Sequence, residues 1–188
     1  MMQVRDAGPD ALPAPGADAR AHSERVVALI RERIRAAGGE LGFADYMNLA
    51  LYAPGLGYYS AGARKFGPAG DFVTAPEVSP LFSRVLARQL AGMLESLDGG
   101  DILELGAGSG VMAAEILAAL DAADTLPRRY LILEVSAELR ARQRERIAER
   151  VPELTDRVRW LDALPAEPLR GAVIGNEVAD ALPVERFR

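Results

Sequence analysis

The nine residues Ile102-Leu-Glu-Leu-Gly-Ala-Gly-Ser-Gly110 constrain the fold more than any other stretch of this chain. Ile102, Leu103 and Leu105, set around Glu104, predict a buried strand. Glycines follow at 106, 108 and 110, and Val111, Met112, Ile116 and Leu117 begin a helical pattern at once. A strand, a glycine turn and a helix start form a cradle for a nucleotide-like ligand. Gly106 permits the tight turn, Gly108 lets backbone approach the ligand, and Gly110 opens the helix. The plainer alternative is a strand–helix turn whose glycines serve packing alone.

Spacing separates the ligand classes. A dinucleotide fingerprint would place glycine at 111, where Val111 stands, which disfavours a nicotinamide oxidoreductase. A P-loop would end in Gly-Lys-Ser/Thr, and no lysine is near. What remains, Glu104-x-Gly-x-Gly-x-Gly110, resembles motif I of the class I S-adenosylmethionine (SAM) methyltransferases. SAM has no pyrophosphate but carries an ammonium group, and Glu104 is expected to hold that group directly or through water.

The 188 residues suit one domain with a sizeable core. A net charge of −5 argues against a nucleic-acid partner. The absence of cysteine removes disulfides and thiolate metal sites. His22, the only histidine, precedes the first predicted helix, which excludes a Ser-His-Asp triad and a histidine-rich metal site; no metal is expected. Residues 1–20, rich in Ala, Pro, Gly and Asp, predict a disordered tail. Asp6, Asp10 and Asp18 speak against a transit peptide, and no apolar run suits a signal peptide or a membrane span. A cytoplasmic location is expected.

Residues 21–99 read as a helical amino-terminal region with a long loop. The first helix is predicted to start at Ser23, as N-cap, and to stop before Gly38-Gly39, with Val26, Leu29, Ile30 and Ile34 on its core face. A second helix is predicted around Asp45–Leu51. Residues 54–70 then mix glycine and proline with Tyr58, Tyr59 and Phe66, the composition of a functional loop rather than a linker. Ser79-Pro80 caps a further helix, on which Leu81, Val85, Leu86, Leu90, Met93, Leu94 and Leu97 predict one continuous apolar stripe.

From residue 100 strands and helices alternate, which predicts a parallel, doubly wound α/β sheet. The strands are placed at 101–105, 130–135, 158–161 and 172–175, with helices at about 110–120 and from Ser136 to about 150. Arginines 140, 142, 144, 146 and 150 alternate with Glu138, Glu145 and Glu149 and read as a solvated helix face.

Ligands of open α/β sheets bind beyond the carboxyl ends of the strands, where strand order reverses. Glu134 ends the second strand, where a carboxylate can accept both ribose hydroxyls. Asp162 follows the third, where the fold would place it near an adenine amino group. Either acid alone could be a surface charge or a cap; acids after three successive strands are harder to dismiss. Asn176, Glu177 and Asp180 follow the fourth strand. They read either as an N-cap with acids in the first turn of a helix or as a polar pocket at the switch point.

Several blocks together resemble the MidA family of SAM-dependent methyltransferases. They are Tyr46-Met with Ala50-Leu-Tyr52, Gly57-Tyr-Tyr59, Gly70-Asp-Phe-Val-Thr-Ala-Pro-Glu77 with Ser79-Pro-Leu-Phe82, the glycine motif, and Asn176-Glu-Val-Ala-Asp-Ala-Leu-Pro183. The resemblance runs from about residue 40 to the end. It implies a Rossmann-like methyltransferase fold, with mitochondrial members that are protein arginine methyltransferases needed for assembly of respiratory complex I. By the same resemblance, SAM would be held by Gly106, Gly108, Glu134 and Asp162, with Glu104, Ala107, Val135, Ala163, Thr74 and Pro76 as further expected cofactor contacts. Thr74, Pro76 and Glu77 would close over the site, and Asn176, Glu177 and Asp180 would face a protein substrate. As converging carboxylates, Glu77, Glu177 and Asp180 are expected to hold a guanidinium fork and accept its proton. A complex I subunit or its bacterial counterpart is the implied partner, with no nucleic acid and no membrane insertion. A DNA or RNA amine methyltransferase would prefer an Asn/Asp-Pro-Pro-aromatic turn after strand four, which Asn176-Glu-Val-Ala does not match. A non-catalytic SAM-binding assembly factor is the remaining alternative. A full sheet of this class has seven strands, so the sheet here is expected to be incomplete, with strand four exposed at an edge. Turnover by this portion alone is not expected.

Overall fold

The computed structural model describes residues 14–61 and 73–187. Most of the expected tail (1–13) and residues 62–72, which include Phe66 and the Gly70-Asp71-Phe72 start of one family block, lie outside the described residues. The chain divides into two compact units, residues 1–60 with 183–188 and residues 61–182.

The first unit holds α1 (Ala17–Ala36) and α2 (Phe43–Tyr52). Helix α1 begins at Ala17 rather than Ser23, so residues 17–20 of the expected tail are helical and Ser23 lies inside the helix. No side chain caps its start at Gly16, so the sequence carries no capping residue to read there. Alanines at 17, 19 and 21, the best helix formers, and Asp18 at the positive end of the dipole extend it instead. The far end is as predicted: Ala37 N–H donates to the Arg33 carbonyl, and Gly38 and Gly39 take positive φ. His22 is structural, its Nε2 lying 2.8 Å from the Leu56 carbonyl.

The second unit opens with a single turn, α3 (Ala75–Val78), and then α4 (Pro80–Ser96). Ser79 caps α4 as expected, its Oγ accepting from Leu81 N–H at 3.1 Å. Ser79→Ala should lower stability by about 1 kcal/mol, read as a shifted denaturant midpoint at unchanged slope. The apolar stripe divides. Ala87, Leu90 and Leu94 are buried with Ser83, whereas Leu81, Val85 and Met93 are exposed. A helix has one buried arc, and positions 83, 87, 90 and 94 define it; the apolar run in the sequence is wider than that arc.

The sheet follows: β1 (Asp101–Leu105), α5 (Val111–Ala122), β2 (Arg129–Leu133), α6 (Ala137–Arg150), a 3-10 turn (Pro152–Arg157), β3 (Val158–Leu161) and β4 (Gly171–Gly175). All pairings are parallel, in the order β3-β2-β1-β4. Ile102 pairs with Tyr130 and Ala172, and Glu104 with Ile132 and Ile174, so these residues share one sheet face. That face packs against α4, α5 and α6 in a single core containing Leu90, Ile102, Ile116, Leu117, Tyr130, Ile132 and Ile147. The opposite face carries Leu103, Leu131 and Val173, of which Val173 is exposed. The connection from β3 to β4 contains no helix, and α4, α5 and α6 of this unit cover one sheet face.

Candidate active site

The carboxyl ends of the four strands gather the candidate residues of the second unit. The glycine turn leaves β1 with Gly106, Gly108 and Gly110 all at positive φ, between 54° and 84°. At Gly106 an added Cβ would come within 3.2 Å of a Val178 methyl, which places the segment after β4 directly beside the turn. At Gly110, the N-cap of α5, an added Cβ would come within 2.9 Å of the Gln143 Cα. Both positions have a left-handed backbone; Gly110 has no room for a side chain, and at Gly106 one would press on Val178. Gly106 N–H donates to the Leu133 carbonyl at 2.9 Å and ties the turn to the end of β2.

Glu134 lies one residue beyond β2 and is almost buried. One carboxylate oxygen accepts the Ser136 N–H at 3.0 Å, and the other accepts from the Gln143 amide at 3.1 Å. Ser136 also caps α6 by accepting from Leu139 N–H. Val135, beside Glu134, is exposed.

Asp162 follows β3 and is joined to Glu134 by Arg140. The Arg140 guanidinium donates to the Glu134 carbonyl, the Leu161 carbonyl and the Asp162 carboxylate, each at 2.7 Å. Arg140 is therefore a structural clamp across the ends of β2 and β3, not part of a solvated face. The other arginines of α6 are also engaged: Arg142 with Glu138, Arg144 over the Trp160 ring at 4.5 Å, Arg146 with Glu149 and Arg150 with Glu115. Asp162 remains mostly exposed, as does Ala163, and so stays available to a ligand.

Glu104 corrects a direct reading of the motif. Its side chain points from β1 into the helix-covered core, where it is fully buried and accepts from the Tyr130 hydroxyl at 2.7 Å. The second carboxylate oxygen has no partner among the described residues. Burial pushes its pKa up to about 7; the Tyr130 bond opposes this, and the Glu134 charge adds to it. Strand alternation explains the placement, since Glu104 shares the face of Ile102. A direct contact with an ammonium group in the crevice is not what this geometry supports.

Glu77 is likewise engaged. Its carboxylate accepts the Ser109 hydroxyl, latching α3 onto the glycine turn. Thr74 precedes α3 without a capping bond, and Pro76 is buried. A cavity of about 370 Å³ beside this latch is lined by Pro76, Pro80, Val111, Ala114, Glu115 and Arg150 among others. Neither Glu134 nor Asp162 lines it.

After β4 the expected Asn N-cap is absent. Residues 176 and 177 form a bend, and a short 3-10 helix (Ala179–Ala181) begins after Val178 with no side-chain cap. Glu177 adopts φ 53°, a left-handed conformation uncommon for a residue with a Cβ. Asn176 is half-buried, while Glu177 and Asp180 are exposed. Of the three acids expected around a guanidinium, Glu77 is taken up by the turn, and Glu177 and Asp180 stay exposed.

Two residues at the site, Arg140 and Gln143, were not expected. Gln143 had a readable signal: it interrupts an apolar stripe of Leu139 and Ile147, so it is a polar residue on the buried face of α6.

The family model of S-adenosyl-L-methionine-dependent methyltransferases matches residues 85–188. The chain belongs to this family. A methyltransferase of Caenorhabditis elegans, named as the mitochondrial protein arginine methyltransferase NDUFAF7 homolog, is 27% identical over 83% of this chain and 41% of its own length. The mouse mitochondrial protein arginine methyltransferase NDUFAF7 is 28% identical over 89% of this chain and 44% of its own. A crystal structure from Burkholderia thailandensis, bound to S-adenosyl-homocysteine (SAH), is 51% identical with a TM-score of 0.85. It is matched over 92% of this chain and 46% of that one. The chain therefore spans less than half the length of these methyltransferase relatives. The similarity agrees with the MidA resemblance and with a Rossmann-like sheet that is incomplete here.

Proposed function

We propose that this chain is the cofactor-binding portion of a SAM-dependent methyltransferase acting on a protein arginine. The observation that carries the reading is Glu134: among the described residues each oxygen takes a single hydrogen bond, beside a turn of three left-handed glycines. An ionised carboxylate has about four acceptor sites, so two remain for the ribose hydroxyls of a nucleoside. The glycine turn offers backbone without side chains where the amino-acid arm of the cofactor would pass. Asp162, steadied by Arg140, is suited to the adenine amino group.

SAM supplies a methyl already activated by its sulfonium, so the protein's task is mainly to position the reactants. Glu177 and Asp180, beside Gly106 through Val178, would hold the guanidinium fork, draw charge from the attacking nitrogen and accept its proton. The names of the relatives support an arginine substrate and favour transfer over cofactor binding alone. A respiratory complex I subunit or its bacterial counterpart is the proposed partner. Among the described residues no helix is long and apolar enough to cross a membrane.

Calorimetry with SAH tests the reading. The wild-type chain should bind SAH, and Glu134→Ala should bind it roughly 10- to 100-fold more weakly, as expected for lost hydrogen bonds to a charged group. No binding by wild type, or equal binding by the variant, would overturn the proposal.

A further inference from the structure

We infer that Gln143 is a positioning residue that fixes the ribose-recognising carboxylate of Glu134 and the glycine turn in one frame. The inference rests on the proposed SAM-binding role and adds to it a residue that makes no contact with the ligand itself.

The Gln143 side chain is fully buried, and three hydrogen bonds engage it. Its Nε2 donates to the Gly108 carbonyl at 3.0 Å and to Glu134 Oε2 at 3.1 Å. Its Oε1 accepts from the Trp160 indole N–H at 2.8 Å. An indole N–H can only donate, so the amide oxygen must face Trp160. Both amide hydrogens are then committed to the site, one to the turn and one to the acid. Flipping the amide would oppose two donors at Trp160 and two acceptors at both Gly108 and Glu134. The orientation follows from chemistry alone.

The consequence for recognition is geometric. With Ser136 N–H on one oxygen and Gln143 on the other, the Glu134 carboxylate cannot rotate. Its two vacant acceptor sites keep one direction relative to the Gly108 carbonyl. The backbone agrees, since Gly110 lacks a side chain where one would strike the Gln143 Cα. Three elements are joined by one amide: the turn after β1, the acid after β2 and Trp160 of β3. Neither a hydrocarbon nor a carboxylate at 143 can do this, the first for want of donors and the second because it would face two acceptors.

The test compares SAH with its 2′-deoxy analogue, by calorimetry on the chain. Wild type should prefer SAH, because the analogue lacks a hydroxyl for Glu134. In Gln143→Met, SAH affinity should fall about tenfold while the analogue changes little, so that the preference collapses. A purely structural role for Gln143 would weaken both ligands alike and leave the preference intact; that outcome overturns the inference. Should Gln143→Met fail to fold, Trp160→Phe removes the donor that orients the amide while keeping the aromatic ring. It should reduce the same preference, and an unchanged preference there overturns the inference equally. If wild type itself binds no SAH, the proposed function falls and this inference with it. Wild-type binding with an unaltered preference in the variants removes only the inference.

Discussion

Methyl transfer by a Glu177→Gln variant of a protein containing this chain is expected to fall about 10²- to 10⁴-fold, with SAH affinity unchanged, the range expected for loss of a general base. The residue sits at the switch point between β1 and β4, exposed, and one position before the Val178 that packs on Gly106. Its φ of 53° is a conformation that costs an ordinary residue about 1–2 kcal/mol. Glutamine meets the same backbone requirement, so the substitution isolates the carboxylate charge. Glycine would relieve the backbone, and Glu177→Gly should raise stability by up to about 1 kcal/mol while also losing turnover. Measuring single-turnover methylation of an arginine peptide together with SAH binding decides the matter. Full turnover in Glu177→Gln would remove the proton-accepting role assigned here.

The second large effect is on stability. Glu104 is fully buried, and its pKa is raised from the ordinary 4.5 to about 7. In the interval between those values the folded protein binds the proton more tightly than the unfolded chain does. Stability from this group is therefore complete below about pH 4.5 and is lost as pH rises through about 7. The displacement corresponds to roughly 3 kcal/mol. Glu104→Gln cannot titrate, yet its amide oxygen can still accept from Tyr130. The stability difference, wild type minus variant, should fall by roughly that amount between pH 4.5 and pH 8. Denaturant unfolding of both proteins across that range checks it, and a difference independent of pH would show that Glu104 is not held protonated by its surroundings.

The strands were legible because each is a short apolar run bounded by turn residues, and β1 and β3 lie where their sequences place them. The glycine turn, Ser79 and Ser136 were legible because caps and left-handed turns demand particular residues. The start of α1 was not, because backbone alone begins it at Gly16. Glu104 was recognised as a motif residue, but the sequence does not say which sheet face will be roofed by helices. Gln143 was readable as a polar residue on the buried face of α6, though its partners were not, and Arg140 was hidden for a related reason. An arginine on a charged helix looks solvated until the ends of β2 and β3 arrive beside it, and those carbonyls come from residues distant in sequence. The chemistry of converging acids points Glu77 at the guanidinium, whereas its partner in the fold, Ser109, is distant in sequence.

The sheet order carries a consequence for assembly. β1 joins β2 across one helix, but it joins β4 only after β2, α6 and β3 have been threaded between them. Closing that long span costs more chain entropy, so β4 should dock after the other strands have found one another. The proposed seat for the nucleoside is built from the early strands, and the acids proposed to act on the substrate arrive with the late one. A nascent chain would then possess a grip on its methyl donor before it possessed the means to use it.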